Sequence, residues 1–451
     1  MRNNRTAHGG AQKIIDACLA LTAGQELVVV FDETTAEVAE MLLKVAQELQ
    51  VQPTGLYLPT ALQRRMAQSE ELPLALTAAL RGAAGILTCV TDEHACLPFR
   101  TQVFDVGAGA NAKIGHMPGV TLDVLSMAAV DYGQIRENCD LLATALLKGE
   151  KLEIVSRDAN GRDNHLRMDV GGWARPPSIS NGLLKRGGWA NIPAGESYIA
   201  PMEGTAEGTL IVDGSLPGYV LAPGSELRME FSAGRLVDWH SSDARSRQIV
   251  DELRDFALAR GDADWCNLAE VGLGVNPAVE LTGIELLDEK KYGTAHIALG
   301  GNDWFGGAVS SAIHSDLILA QPTVRVDGKP VVNGGQIVVS PADWLEDHRQ
   351  LAINPLWRDG ISAVSRSGVR AVPRRGLLRR EWITGRGEPD SILVGIADSA
   401  RKATALYAHI PAFKGGISIE ALVAQCQGWD ELEVLQLLLV LDHNELLALA
   451  R

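Results

Sequence analysis

Paired cysteines are missing from this sequence. Its six, Cys18, Cys89, Cys96, Cys139, Cys266 and Cys426, are scattered with no C-x-x-C among them, which excludes a zinc knuckle and a disulfide framework and points to reduced thiols. Long apolar runs are missing too: no stretch reaches the roughly 18 uninterrupted apolar residues of a membrane helix. The opening MRNNRTAHGGAQKIIDACLALTAGQE interrupts its apolar residues with Lys13, Asp16 and Gln25, so no signal-peptide core forms and the cytoplasm is the expected location. There is no excess of positive charge. The formal net charge of −15 argues against nucleic acid or an anionic membrane as a partner. No G-x-G-x-x-G follows the first strand pattern, and GAGANA at 107–112 is too short of glycines and wrongly placed to replace it, so a dinucleotide fingerprint is excluded.

What remains is an ordinary globular composition, 46% apolar and 22% charged, in 451 residues, enough for two or three domains. Residues 1–135 alternate short apolar runs with helical periodicity, as a wound α/β layer does: ELVVVFD at 26–32 reads as a buried parallel strand and TTAEVAEMLLKVAQELQ after it as an amphipathic helix. A helix over 132–149 bridges to a segment of different texture. From 136 to 347 the runs are shorter and richer in glycine and proline, and they alternate as antiparallel strands do. KLEIVSRDANGRDNHLRMDV predicts a hairpin turning at Asn160-Gly161, TLIVDGS, ELRMEFSAGRLVDW, TAHIALG and SDLILAQPTVRVDGKPVV predict further strands, and SRQIVDELRDFALARG predicts a helix. An α+β domain follows. Residues 348–390 form an arginine-rich linker, with seven arginines and no lysine between Arg366 and Arg386, and 391–451 carry three helical patterns that predict a small helical, winged-helix-like module.

Acids and histidines in the second domain fall where local structure can make them converge. His314 and Asp316 in AIHSDLIL are two apart, which on a strand places both on one face. His296 in GTAHIALGG alternates with apolar neighbours and is flanked by small residues that allow a close approach. Glu196 ends the turn NIPAGE. Glu270 in NLAEVGLGVNP has apolar neighbours, where an unpaired carboxylate is expensive and calls for a partner. Imidazole and carboxylate together suit zinc, cobalt, manganese or iron. Each element has a plainer reading as well: a hydrogen-bonded core pair for His314 and Asp316, a turn cap for Glu196, a salt-bridge partner for Glu270. Asp288 and Glu289 in LLDEKKYGT read as an exposed turn, with support of His296 from behind as the alternative, and His165 and His240 read as surface histidines.

In order, NIPAGESYIAPMEGTAEGTLIVDGS, LAEVGLGVNP, DEKKYGTAHIALGGN and FGGAVSSAIHSDLIL followed by PTVRVDGK resemble the aminopeptidase T/S metallopeptidases, with IGHMPGVT at 114–121 adding to the likeness. That resemblance implies a metal site built from Glu196, Glu270, His296, His314 and Asp316, with Glu196 and Glu270 as the catalytic carboxylates. It implies two divalent ions per chain (zinc, cobalt or manganese), a bridging water that attacks a peptide carbonyl, and a homodimer. The expected function is therefore a metal-dependent aminopeptidase, a hydrolase acting on a peptide or small-molecule substrate. The C-terminal module, foreign to that family, would offer a surface to a peptide or protein partner. The absence of tyrosine between His296 and His314 puts any phenol-based role there in doubt. Two rival readings are a scaffold that binds peptides without catalysis and a non-haem Fe(II) ring-cleaving enzyme similar to 2,5-dihydroxypyridine 5,6-dioxygenase. The latter resemblance implies a histidine where Glu270 stands, which favours the hydrolase.

Overall fold

The computed structural model describes residues 2–339, apart from 70–71, 92–96, 172–174 and 176, together with three short strands near the C-terminus. The first part is a parallel sheet in the order 52–57, 26–31, 85–89, 113–116 and 189–191. Its second member, Glu26–Phe31, is the expected buried strand, and helix Ala36–Glu48 after it lays Val38, Ala39, Leu42, Val45 and Ala46 on the core. The fifth strand, Trp189–Asn191, comes from much later in the chain and leads directly into the turn that carries Glu196.

Helix Tyr132–Lys148, capped by Asp131 through the amides of Gly133 and Gln134, connects this layer to two antiparallel sheets. One has eight strands, in the order 235–240, 227–232, 207–212, 163–169, 151–157, 323–326, 329–333 and 336–337. The hairpin predicted at 151–170 is its centre. Lys151–Arg157 pairs with Asp163–Asp169, and Gly161 turns the chain at φ 75°, a value that favours glycine. The other sheet has seven strands, in the order 219–220, 215–216, 314–319, 295–300, 268–274, 196–199 and 178–180.

One buried cluster joins the two sheets: Leu152, Ile154, Leu166, Leu210 and Val212 from the first, and Val271, Leu273, Ile297, Leu299, Leu317 and Leu319 from the second. At about 1.5–3 kcal/mol for each buried side chain of this size, that shared core fixes strand register, because a slip of one residue would turn it outward. The opposite face of the seven-stranded sheet is thereby left to the polar side chains.

The chain is a mixed α/β protein of several sheets. The helical module expected at 391–451 falls mostly outside the described residues. Those described there, Ile417–Ser418 and Leu447–Ala450, are strands paired with Arg370–Pro373. At Leu447–Ala450 leucine alternates with alanine, a pattern as compatible with a period of two as with a helix. Among the described residues, no helix is long and apolar enough to cross a membrane.

Candidate metal centre

Four adjacent strands of the seven-stranded sheet carry the acids and histidines singled out in the sequence. His314 and Asp316 lie on His314–Leu319, His296 on Ala295–Gly300, Glu270 on Leu268–Gly274 and Glu196 on Glu196–Ile199. Directly opposed residues of an antiparallel pair share a face. Asp316 opposes Ala298, which opposes Glu270; His296 opposes Gly272; and Glu196 opposes Gly274. Since 270, 272 and 274 alternate along one strand, all five side chains project from the same face. The residues between them are small. A Cβ added at Gly272 would collide with the His296 ring, so glycine there is what lets the imidazole lie flat across the sheet.

The resulting cluster is tight. His296 Nε2 lies 2.9 Å from Glu270 Oε1 and 3.7 Å from Glu196 Oε2. His314 Nε2 lies 3.5 Å from Glu270 Oε2 and 3.7 Å from Asp316 Oδ1. His314 Nδ1 meets the Gly301 carbonyl oxygen at 2.8 Å, a contact in which the ring N–H must donate. That fixes the tautomer and leaves Nε2 facing the cluster. Behind Asp316, Glu285 Oε1 accepts from the Asp316 amide and the Ser315 hydroxyl, each at 2.8 Å.

The segment LLDEKKYGT, expected as an exposed turn, is instead buried under the cluster. Lys290 is completely enclosed. Its ammonium lies 3.2 Å from Glu196 Oε1 and also pairs with Glu289. Asp288 accepts from Ser215 Oγ at 2.6 Å, from the amide and hydroxyl of Thr282 at 2.7 and 2.9 Å, and from the Gly283 amide at 2.7 Å. Asp288 and Glu289 read as an exposed turn in the sequence. Here they are buried because each has a partner, and the only hint in the sequence was their closeness to His296.

The electrostatics of the cluster follow from burial and proximity. Burial alone would raise the Glu270 carboxyl, yet hydrogen bonds from His296 and His314 outweigh it and hold it down at about 2. Glu196 goes the other way: burial first, then the charge of Glu289, push it up to about 7. Burial and Glu289 also raise Asp316 well above the carboxylate range. Burial opposes charge on the imidazoles, but the hydrogen bond to Glu270 and the neighbouring carboxylates reverse this and lift His296 to about 9 and His314 to about 10.

Two overlapping groups have ligand atoms within 4.8 Å of one another: Glu270, His296 and Asp316, and Glu196, Glu289 and His296. Glu196 Oε2 and Asp316 Oδ1 are buried without a hydrogen-bond partner. Leaving a buried acceptor unpaired costs about 1–3 kcal/mol, and more when it is charged. Four carboxylates, Glu196, Glu270, Glu289 and Asp316, share this space with one permanent cation, Lys290. These residues could hold a divalent metal, and one bound by the Glu270, His296 and Asp316 group would give the orphaned Asp316 oxygen a partner.

Among the described residues, the other histidines lie elsewhere. His116, in the IGHMPG segment, ends the fourth parallel strand, with Thr88 Oγ1 at 2.8 Å from its Nδ1, and burial followed by the Arg100 charge lowers it to about 3. His165 is half-buried beside Glu153 at 3.0 Å, and His240 is exposed. Among the described residues Cys18, Cys89, Cys139 and Cys266 are free thiols.

Comparison with known proteins corrects the functional class. The sequence model of the family described as 2,5-dihydroxypyridine 5,6-dioxygenase (NicX) matches residues 12–339. The curated 2,5-dihydroxypyridine 5,6-dioxygenase of Pseudomonas putida KT2440 is 25% identical over 166 residues, which cover 34% of this chain and 45% of the relative. The match thus spans less than half of that relative's length. A solved structure of 2,5-dihydroxypyridine dioxygenase from Pseudomonas putida KT2440 superposes with a TM-score of 0.58 at 18% identity, over 75% of this chain and 99% of the other. Wild-type AmpT from Thermus thermophilus superposes at 0.50 and 16% identity, over 74% of this chain and 99% of that one. At these identities both structures speak for the fold alone.

Membership of the aminopeptidase T/S family, the expected peptide hydrolysis and the protease chemistry attached to it are therefore overturned by the family match and the curated relative. The physical reason is that imidazoles and carboxylates on this sheet suit several metals and several chemistries, so the donor set by itself did not separate hydrolase from oxygenase. Glu270, taken as a sign against the oxygenase, does not exclude it. With the family model covering the parallel sheet, both antiparallel sheets and every donor in the cluster, the chain belongs to the 2,5-dihydroxypyridine 5,6-dioxygenase family.

Proposed function

We propose that this protein is a metal-dependent ring-cleaving dioxygenase acting on a hydroxylated pyridine, with ferrous iron held by His296, His314, Asp316 and Glu270. The observation that carries this reading is the placing of two imidazole Nε2 atoms at 2.9 and 3.5 Å from the two oxygens of Glu270, with Asp316 beside them. Two histidines and a carboxylate are the donor set of non-haem Fe(II) oxygenases. When bound, the iron would relay electrons from the ring to dioxygen and so lift the spin barrier to their reaction, the ring being the reductant and the iron returning to its ferrous state.

The chain's own residues do the rest. His314 keeps Nε2 turned inward because its Nδ1–H is tied to the Gly301 carbonyl. Lys290 holds Glu196 by Oε1, leaving Oε2 without a partner. That free oxygen, beside the proposed ligand His296, is placed to take a proton from a ring hydroxyl. Burial of His296, Glu270 and Glu196 keeps water from the closed side of the cluster. The division into units at 1–135 and 136–347, with a linker at 348–390 and a module at 391–451, belongs to the same proposal, as do a homodimer and a partner for the module.

The test is oxygen uptake. Protein reconstituted with ferrous iron under exclusion of air, then mixed with 2,5-dihydroxypyridine and oxygen, should consume oxygen as the ring's ultraviolet absorbance disappears. A chelator or His314→Ala should abolish both. Iron-loaded protein that leaves the ring intact would remove the proposal.

A further inference from the structure

Among the described residues, His314 is the most exposed member of the cluster. Side-chain exposure is 0% for His296, 6% for Glu196, 7% for Glu270 and 9% for Asp316, but 22% for His314. The side of the cluster most open to a substrate is therefore the one at His314. At that edge stands Trp304, half of it exposed (51%), its ring centroid 5.1 Å from that of His314 with the planes at 65°.

An exposed tryptophan is often without consequence. This one is held in place. Phe305, almost fully buried, packs edge-on against Trp304 at 5.6 Å, against His314 at 5.8 Å and against Tyr198 at 5.4 Å. The indole edge also lies close over Gly301, where a Cβ would come within 3.1 Å of it. The loop that carries it is clamped at both ends. Asn302 exchanges backbone bonds with Val309 and Gly307 and donates to the Ala269 carbonyl at 3.3 Å, while Asp262 accepts from Ser311 Oγ and the Ala312 amide at 2.5 and 2.8 Å. Arg175, itself buried, donates to Glu203 and to the Gly306 carbonyl, and Glu203 accepts from the Ala308 amide. A large indole is thus held by ring contacts on a clamped loop, beside the most exposed member of the cluster among the described residues.

We infer that Trp304 is a specificity-determining residue that stacks on a planar aromatic ring while that ring's oxygens reach into the centre. The inference deepens the proposed function and rests on its claim that the substrate is a ring. Stacking of a flat heteroaromatic on tryptophan is favourable and tolerant of substituents, and it discriminates against ligands that lack a π face.

The experiment measures dissociation constants by calorimetry without oxygen, on iron-loaded full-length protein, for 2,5-dihydroxypyridine, catechol and acetohydroxamate, the last a small chelator with no ring. Trp304→Ala should weaken both aromatic ligands by tenfold or more and leave acetohydroxamate within twofold, while Trp304→Phe should retain most aromatic affinity. If catechol binds with this dependence and 2,5-dihydroxypyridine does not bind, the stacking role stands and the substrate reading falls. Equal weakening of all three ligands, no change in any, or failure of both aromatics to bind the wild type would overturn the inference.

Discussion

Replacing Lys290 by methionine keeps the length of its stem and leaves Glu196 and Glu289 facing one another with no ammonium between them. Breaking a buried pair in this way costs about 3–5 kcal/mol, so Lys290→Met should lower the denaturation midpoint by a corresponding amount even in metal-free protein. Arginine at this position should not restore stability, since the enclosed cavity is fitted to a lysine with no exposed surface. Gly272 offers a second test. Gly272→Ala drives a Cβ into the His296 ring, and the expected result is loss of metal binding by tenfold or more with a smaller loss of stability. The imidazoles make metal uptake depend on pH. Both are raised, to about 9 and about 10, so in metal-free protein each carries a proton at neutrality that a cation must displace. Affinity should therefore weaken as pH falls and strengthen as pH rises toward 9, with protons released on binding. A competition titration at pH 6, 7 and 8 measures it, and flat affinity across that range would remove both histidines from the site. His314 and Asp316 were readable in the sequence because a strand's period of two needs only local information. Lys290 was not, because its burial depends on a carboxylate nearly a hundred positions away.

At the scale of elements, the segment from Thr282 to Lys291 works as a buttress under the metal-bearing strands. Asp288 accepts from four donors there, and it ties the segment to Ser215 on a neighbouring strand. Asp288→Ala strands those donors and should cost roughly 3–5 kcal/mol. Metal affinity should fall with it, as the segment loosens behind the strand that carries His314 and Asp316; chemical denaturation and a metal titration on the same variant check both. Most strands were legible: alternation in ELRMEFSAGRLVDW and TAHIALG, and the Asn160-Gly161 turn, place elements close to where they form. The short strand Trp189–Asn191 was not, since three residues without a pattern carry no periodicity and its pairing partner is distant in sequence. Charged clusters such as Asp288-Glu289-Lys290 mislead for the opposite reason: local composition signals exposure, and only tertiary pairing reverses it.

For the whole molecule, the sequence showed an α/β layer followed by antiparallel sheets and a set of donors that the fold brings to one sheet face. It did not show which chemistry that face performs. Hydrolases and oxygenases can share a sheet, a pattern of small residues and a collection of imidazoles and carboxylates, and what separates them lies in the ligand that completes the centre and the walls that admit it. Trp304 belongs to those walls, and its position depends on a loop whose clamps, Asp262, Glu203 and Arg175, lie far from it in sequence.

In the proposed reaction this donor cluster directs both atoms of dioxygen into an aromatic ring. Turnover of 2,5-dihydroxypyridine by the iron-loaded protein under oxygen-18 gas tests it most directly, with the product analysed by mass spectrometry. A ring-opened product carrying two labelled oxygens is expected, absent for His296→Ala. A product labelled only from water, or no product from protein that holds its iron, would contradict it.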